Sequence, residues 1–182
     1  MSLLAESLVE EWLNRYGYFT IRGARYGVSE IDLLAVRHTP SGLEARHIEV
    51  QVSTNPVAYI TPLTEQRAKA LGKNRTSAWS RPPEVLAESV EAWIQKKFRS
   101  PGKKAARNKA WPGLSWSQEL VHGKVKHPEE LAAIEAAGTT TIPFFSVLKS
   151  LCHEQAVAHK GGAGTDIADI LAYYLVLNES AG

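Results

Sequence analysis

Ser29-Glu30-Ile31-Asp32-Leu33-Leu34-Ala35-Val36-Arg37-His38 and, after Thr39-Pro40-Ser41-Gly42-Leu43, Glu44-Ala45-Arg46-His47-Ile48-Glu49-Val50-Gln51-Val52-Ser53 form the most informative part of the chain. Both runs are rich in apolar and β-branched residues, and the Pro-Ser-Gly between them is a turn signal, so together they predict a β-hairpin. Side chains alternate along a strand, which puts Glu49 and Gln51 on one face and Ile48, Val50 and Val52 on the other. Opposed residues of an antiparallel hairpin keep a constant sum of numbers. A two-residue turn at Ser41-Gly42 opposes Asp32 to Gln51, and one at Pro40-Ser41 opposes it to Glu49; either brings Asp32 beside Glu49 on one face. A three-residue loop without a bulge opposes Asp32 to Val50 and separates the two carboxylates.

Outward from the hairpin, Leu4, Leu8, Trp12 and Leu13 recur at helical spacing, with Ser2 to cap and Gly17 to stop a helix over 3–16. Residues 18–22 predict a short strand. Pro56 and Pro62 bound a loop, 63–71 a helix, and Val85, Leu86, Val90, Trp93, Ile94 and Phe98 one long helix over 84–98. A basic linker follows, opened by Pro101-Gly102. Residues 117–126 predict a fourth strand, 128–137 a helix capped by His127 or its neighbour, 144–159 another helix, and 166–178 a last one after the Gly161-Gly162-Ala163-Gly164 breaker. The order of helix, three strands, helix and fourth strand is that of an α/β sandwich. It is read as one domain over 1–182, with a core at about 3–126 and helical decoration over about 127–180.

A length of 182 residues, 44% hydrophobic and 22% charged, belongs to a globular chain and excludes disorder and collagen-like repeats. One cysteine, Cys152, excludes an internal disulfide and a Cys-rich zinc module. Glu6, Glu10 and Glu11 near the start are unlike a signal peptide, and the longest apolar stretch, 167–177, contains Asp169 and falls short of the ~20 residues a bilayer requires. A cytoplasmic protein without a membrane partner is the expectation. No nucleophile elbow or dinucleotide fingerprint points to a nucleotide cofactor, Gly161 to Thr165 reads as a flexible turn, and the histidines near Cys152 and at His122 and His127 lack zinc spacing.

The net charge is only +2, but the charges are sorted. From Ala92 to Gln118 no Asp or Glu occurs, whereas Lys96, Lys97, Arg99, Lys103, Lys104, Arg107 and Lys109 do. These seven are the expected nucleic-acid contacts; a solvated loop is the plainer alternative. Trp93, Trp111 and Trp116 flank the block and are assigned to packing. Upstream, Asp32 lies within an apolar run, where a carboxylate needs a partner or a cation. Two facing carboxylates repel unless a proton or cation sits between them, and hard oxygen ligands select Mg²⁺ or Mn²⁺.

The run Glu30-Ile31-Asp32-Leu33-Leu34-Ala35, followed by Ile48-Glu49-Val50-Gln51 and preceded by Glu6 on a helix ending at Gly17-Tyr18, resembles the PD-(D/E)XK nuclease superfamily in its restriction-endonuclease-like and Holliday-junction-resolvase-like branches. The resemblance covers about residues 3–53. It implies an αβββαβ core with a mixed central sheet flanked by helices, Asp32 and Glu49 as ligands of Mg²⁺ or Mn²⁺, the Val50 carbonyl as a third ligand, and Glu6 as an auxiliary acid. At the position of the family's lysine stands Gln51, a neutral amide that can orient a water but supplies no charge. Lys69 and Lys73, just after the third strand, are the candidates for a lysine that has migrated. Glu6 serves equally as a first-turn glutamate favoured by the helix dipole.

The implied function is metal-dependent endonucleolytic hydrolysis of DNA by attack of an activated water, with a homodimer expected from the same resemblance. The alternatives are a catalytically weakened nucleic-acid-binding module of the same fold, to which Gln51 points, and an interaction subunit of a DNA-processing assembly docking through 167–177.

Overall fold

Helix α1 (Ser2–Arg15) turns Ala5, Leu8, Val9 and Leu13 inward as one buried stripe. Three strands follow as an antiparallel meander, β1 (Phe19–Tyr26), β2 (Ser29–Thr39) and β3 (Gly42–Gln51). The computed structural model describes residues 2–153 together with 166, 167, 169 and 170. After β3 come α2 (Glu65–Ala70), α3 (Pro83–Ile94), α4 (Pro101–Ala110), β4 (Ser117–His122), α5 (Glu129–Ala136), β5 (Thr140–Pro143) and α6 (Phe144–His153). The sheet runs β1-β2-β3-β4-β5, with β4 parallel to β3 and β5 parallel to β4. This is a mixed α/β fold: a five-stranded mixed sheet flanked by helices, with further helices toward the C-terminus.

Core residues divide between the two faces. On one, Leu33, Ala35, Ile48, Val50 and Val121 pack against the α1 stripe and against Val147 and Leu151 of α6. On the other, Leu120 joins Val90, Trp93, Ile94, Phe98 and Ile134, while Ile31 and Leu34 meet Ala106 of α4. Each fully buried Leu, Ile or Phe contributes about 1.5–3 kcal/mol, so both layers are needed to hold the sheet.

The hairpin turns at Pro40-Ser41: Thr39 pairs with Gly42 and Leu33 with Ile48, the register that opposes Asp32 to Glu49. Strict alternation nevertheless breaks at Asp32, because Ile31 packs with Leu34 on one face while Leu33 packs with Ala35 on the other. The β1–β2 ladder is carried by Arg22↔Leu33 and Ala24↔Ile31 on either side of the break. Opposite Asp32 stands Gly23, at φ +66°, a left-handed conformation that glycine adopts without strain. The kink frees the Asp32 carboxylate to accept the Val50 N–H at 2.8 Å.

The expected basic linker is helix α4. Ser100 caps it, accepting the Lys103 N–H at 3.4 Å, and Pro101 occupies its first turn, a start signal in place of the break read from Pro101-Gly102. Between α3 and α4 a π-helical turn, Gln95–Arg99, carries the end of the long helix. Gly102 lies where α4 touches the start of β2: a Cβ there would fall 2.1 Å from Ser29 Oγ. β5 adds a strand within a stretch read as helical only, β4 stops at His122 rather than 126, and α5 follows Pro128 without a side-chain cap. The expected helix over 144–159 is observed to His153, residues 166, 167, 169 and 170 are helical, and the remainder of the C-terminal expectations, with Gly161 to Thr165, lies outside the described residues. No helix among the described residues is long and apolar enough to cross a membrane.

Candidate functional site

Because β3 places alternate side chains on one face, His47, Glu49 and Gln51 all project toward α3, the π turn and α4. Glu49 is buried to 1% exposure, and both its oxygens are occupied. Lys97 Nζ of the π turn donates to Oε2 at 2.7 Å. Lys103 Nζ of α4 donates to Oε1 and to the Glu30 carbonyl. His47 Nε2 lies 3.1 Å from the same Oε1. Arg107, one turn after Lys103, donates from Nη1 to His47 Nδ1 at 2.7 Å and to the Phe98 carbonyl at 2.8 Å. A guanidinium has no acceptor, so Nδ1 accepts and Nε2 carries the proton donated to Glu49.

The charges follow from these contacts. Burial pushes the Glu49 carboxyl up, but the His47 hydrogen bond and the Lys97 and Lys103 ammoniums outweigh it and hold the group below the ordinary carboxylate range. Burial lowers His47, and the neighbouring Arg107 and Lys103 lower it further, against the pull of Glu49. The ring is therefore neutral. Burial also works against the charge on Lys97, yet Glu49, with Asp32 and Glu6 behind it, raises its pKa.

Asp32 is the opposite case. Burial, reinforced by the Glu49 charge, lifts its carboxyl from 3.8 to about 6, against the Val50 N–H and Lys97. Glu6 on α1 is raised as well, by burial first and then by Glu30 and Glu49, against Arg22 and Lys97. Three carboxylates, Glu6, Asp32 and Glu49, thus lie within electrostatic reach of one another and share one ammonium. Among the described residues no three His, Cys, Asp or Glu side chains converge closely enough to hold a metal by themselves.

No family model and no curated protein matches this chain. Among solved structures it is similar to the crystal structure of a protein of unknown function, AF1548, at 15% identity and a TM-score of 0.45, over 82% of this chain and 66% of that one. That likeness bears on no activity.

The residues singled out in the sequence separate into those the structure gathers and those it does not. Asp32, Glu49 and Glu6 are gathered. Gln51 lies one step along the same face, its Nε2 directed to the Ile60 carbonyl at 3.4 Å. Lys69 and Lys73, expected as candidates for a migrated lysine, are engaged elsewhere: Lys69 pairs with Glu65 on its own helix at 2.8 Å, and Lys73 lies over the Trp79 ring. The lysines that reach Glu49 are Lys97 and Lys103, which were expected at a nucleic-acid surface.

The basic block is accordingly divided. Lys103 and Arg107 point inward as anchors, and Arg99 is held by the Ala137 carbonyl and Glu91. Lys96, Lys104 and Lys109 remain exposed. Trp93 is buried in the core and Trp116 packs beside Ala106, as assigned, whereas Trp111 is 42% exposed. His47 escaped notice because a histidine in an apolar strand is usually core. The spacing of Lys103, Ala106, Arg107 and Ala110 did carry the signal of a helix with one inward face.

A cleft of about 560 Å³ opens beside Asp32, lined also by Glu30, Ser29, Lys96, Lys97 and Lys103. Carboxylates and ammoniums therefore meet at a surface a polyanion can reach.

Proposed function

We propose that this protein is a metal-dependent endonuclease that hydrolyses phosphodiester bonds of DNA, acting in the cytoplasm. The observation that carries the reading is the approach of the Asp32 and Glu49 carboxylates across the hairpin, with Lys97 bound to Glu49 at 2.7 Å beside an open cleft. An aspartate lifted to about 6 by burial and a facing carboxylate is a group that a divalent cation would discharge. The oxygen-rich donor set fits Mg²⁺ or Mn²⁺. Asp32 and Glu49 would hold the ion with the Val50 carbonyl, the remaining positions falling to waters and substrate oxygens, as suits a cation that dehydrates reluctantly. Bound there, it would polarise a phosphoryl oxygen and lower the pKa of a water.

This chain's own residues have distinct tasks. Lys97 supplies the positive charge that Gln51 lacks, next to the phosphate path, where it stabilises the negative charge that builds on the phosphoryl oxygens during in-line attack. It stands on a π turn, a feature that recurs at functional sites because the inserted residue redirects the side chains around it. Lys103, His47 and Arg107 position Glu49 and keep it ionised. Lys96, Lys104 and Lys109 offer charge to the backbone of the nucleic acid.

The test is cleavage of plasmid and branched DNA by the wild-type protein and by Asp32→Ala and Lys97→Met variants, with Mg²⁺, Mn²⁺ or EDTA. Metal-dependent cutting that each substitution reduces by at least a hundredfold is expected. A second reading, a binding module of the same fold without useful hydrolysis, is favoured by the occupation of both Glu49 oxygens by lysines. Salt-dependent DNA binding without cutting in any metal would select it.

A further inference from the structure

Lys96 and Lys97 line a second, larger cleft as well as the one beside Asp32. Its volume is about 810 Å³, within the range of sites that enclose small organic ligands. The walls combine apolar surface from Val57, Ile60 and Trp93 with the Gln51 amide and the Arg75 cation. Nothing in the hydrolysis described above uses this space. A site with apolar walls, an amide and three cations, Lys96, Lys97 and Arg75, against one carboxylate, Glu65, matches one component of a nucleic acid, the nucleotide, with its apolar base faces, its edge of donors and acceptors and its anionic phosphate.

A base within continuous duplex is stacked and paired, and turning it into a side cleft costs a few kcal/mol; an unpaired base enters without that penalty. Gln51 gains a role here. Beyond the N–H directed to the Ile60 carbonyl, its amide keeps a second N–H and an acceptor oxygen for a base edge, whereas an ammonium at the same position has no acceptor.

Resting on the nuclease reading, we propose that the larger cleft receives an unpaired nucleotide adjoining the scissile phosphate, so that the substrate is DNA with a single-stranded segment at the cut. The strand would pass from the carboxylate cleft across Lys96 and Lys97 into the cleft of Gln51 and Trp93.

The experiment measures binding in EDTA, where no cleavage intervenes, using forked and fully paired oligonucleotides of equal length with 2-aminopurine on either side of the junction. The wild-type protein is expected to bind the fork at least about tenfold more tightly than the duplex, with a change in 2-aminopurine fluorescence at one of the two positions. Ala92→Trp and Thr76→Trp fill the cleft from exposed positions on α3 and on the loop before it, and thermal unfolding checks that each folds. Each should remove the preference and the fluorescence change while leaving duplex affinity within twofold. Equal affinity for fork and duplex, or cleft variants that retain the preference, would overturn the proposal. A fork preference lost in both variants without cutting in any metal upholds the nucleotide cleft and overturns hydrolysis alone. Cutting of duplex and fork at equal rates, unaffected by Ala92→Trp, upholds hydrolysis and overturns the cleft.

Discussion

Asp32→Asn should make the protein more stable at neutral pH, although it removes a residue the site depends on. The folded state holds this carboxyl at about 6, against an ordinary value of 3.8. Between those values the native state binds more protons than the unfolded chain, so stability falls as pH rises through that window. At about 1.36 kcal/mol for each pH unit, the fully ionised aspartate costs the folded protein about 3 kcal/mol at pH 7.5. Asparagine carries no such charge and its carbonyl can still accept the Val50 N–H. The variant should therefore gain up to about 3 kcal/mol in urea unfolding at pH 7.5, equivalent to a rise in Tm of about 6–12 °C for a chain of this size. The gain should shrink as pH is lowered and vanish below about pH 3, under the ordinary value of 3.8, where aspartate is protonated in both states. Mg²⁺ should narrow the difference at pH 7.5, because it stabilises only a protein that binds it. A variant no more stable than wild type at pH 7.5, or one whose gain persists unchanged to pH 4, would refute the electrostatic reasoning.

Two further expectations concern the support of the site. Lys103→Met should lose about 3 kcal/mol at neutral pH by urea unfolding, since it strips a buried partner from a buried carboxylate, whereas Lys104→Met on the exposed side of the same helix should stay within about 0.5 kcal/mol. Equal effects of the two would show that the inward anchor has no energetic weight. Gly102→Ala brings a methyl group to 2.1 Å from Ser29 Oγ and should cost about 1–3 kcal/mol. Ser29→Gly in the same chain should recover most of that loss in a double-mutant cycle, and simple additivity would disprove the contact.

Local signals carried the sheet and its carboxylates. The hairpin was legible because period-two alternation, a Pro-Ser-Gly turn and a constant residue sum all act within about twenty residues, and they left only the turn position open. Thr39 pairing with Gly42 closes that choice. The helix over α4 was equally local, but Pro101-Gly102 reads as a breaker unless Ser100 is recognised as its cap. β5 has four residues, too few for a pattern to stand out from its surroundings.

From local sequence alone the chain thus specifies, in order, α1, the β1–β3 meander, the long helix and β4, a hairpin that carries Asp32 and Glu49 on its two strands, and a concentration of cations over 92–118. The register that opposes Asp32 to Glu49 and the places those cations take both belong to the folded layers. Charge patterning reports that lysines are present and not which way a helix faces, and facing depends on the packing of Phe98 and Ala106 against the sheet. That packing turns Lys97, Lys103 and Arg107 onto Glu49 and His47 across 48 to 60 residues of chain and leaves Lys96, Lys104 and Lys109 in solvent. The kink at Gly23 and Asp32 and the elevated pKa of Asp32 have the same origin, because burial and the approach of a second carboxylate exist only once the layers close.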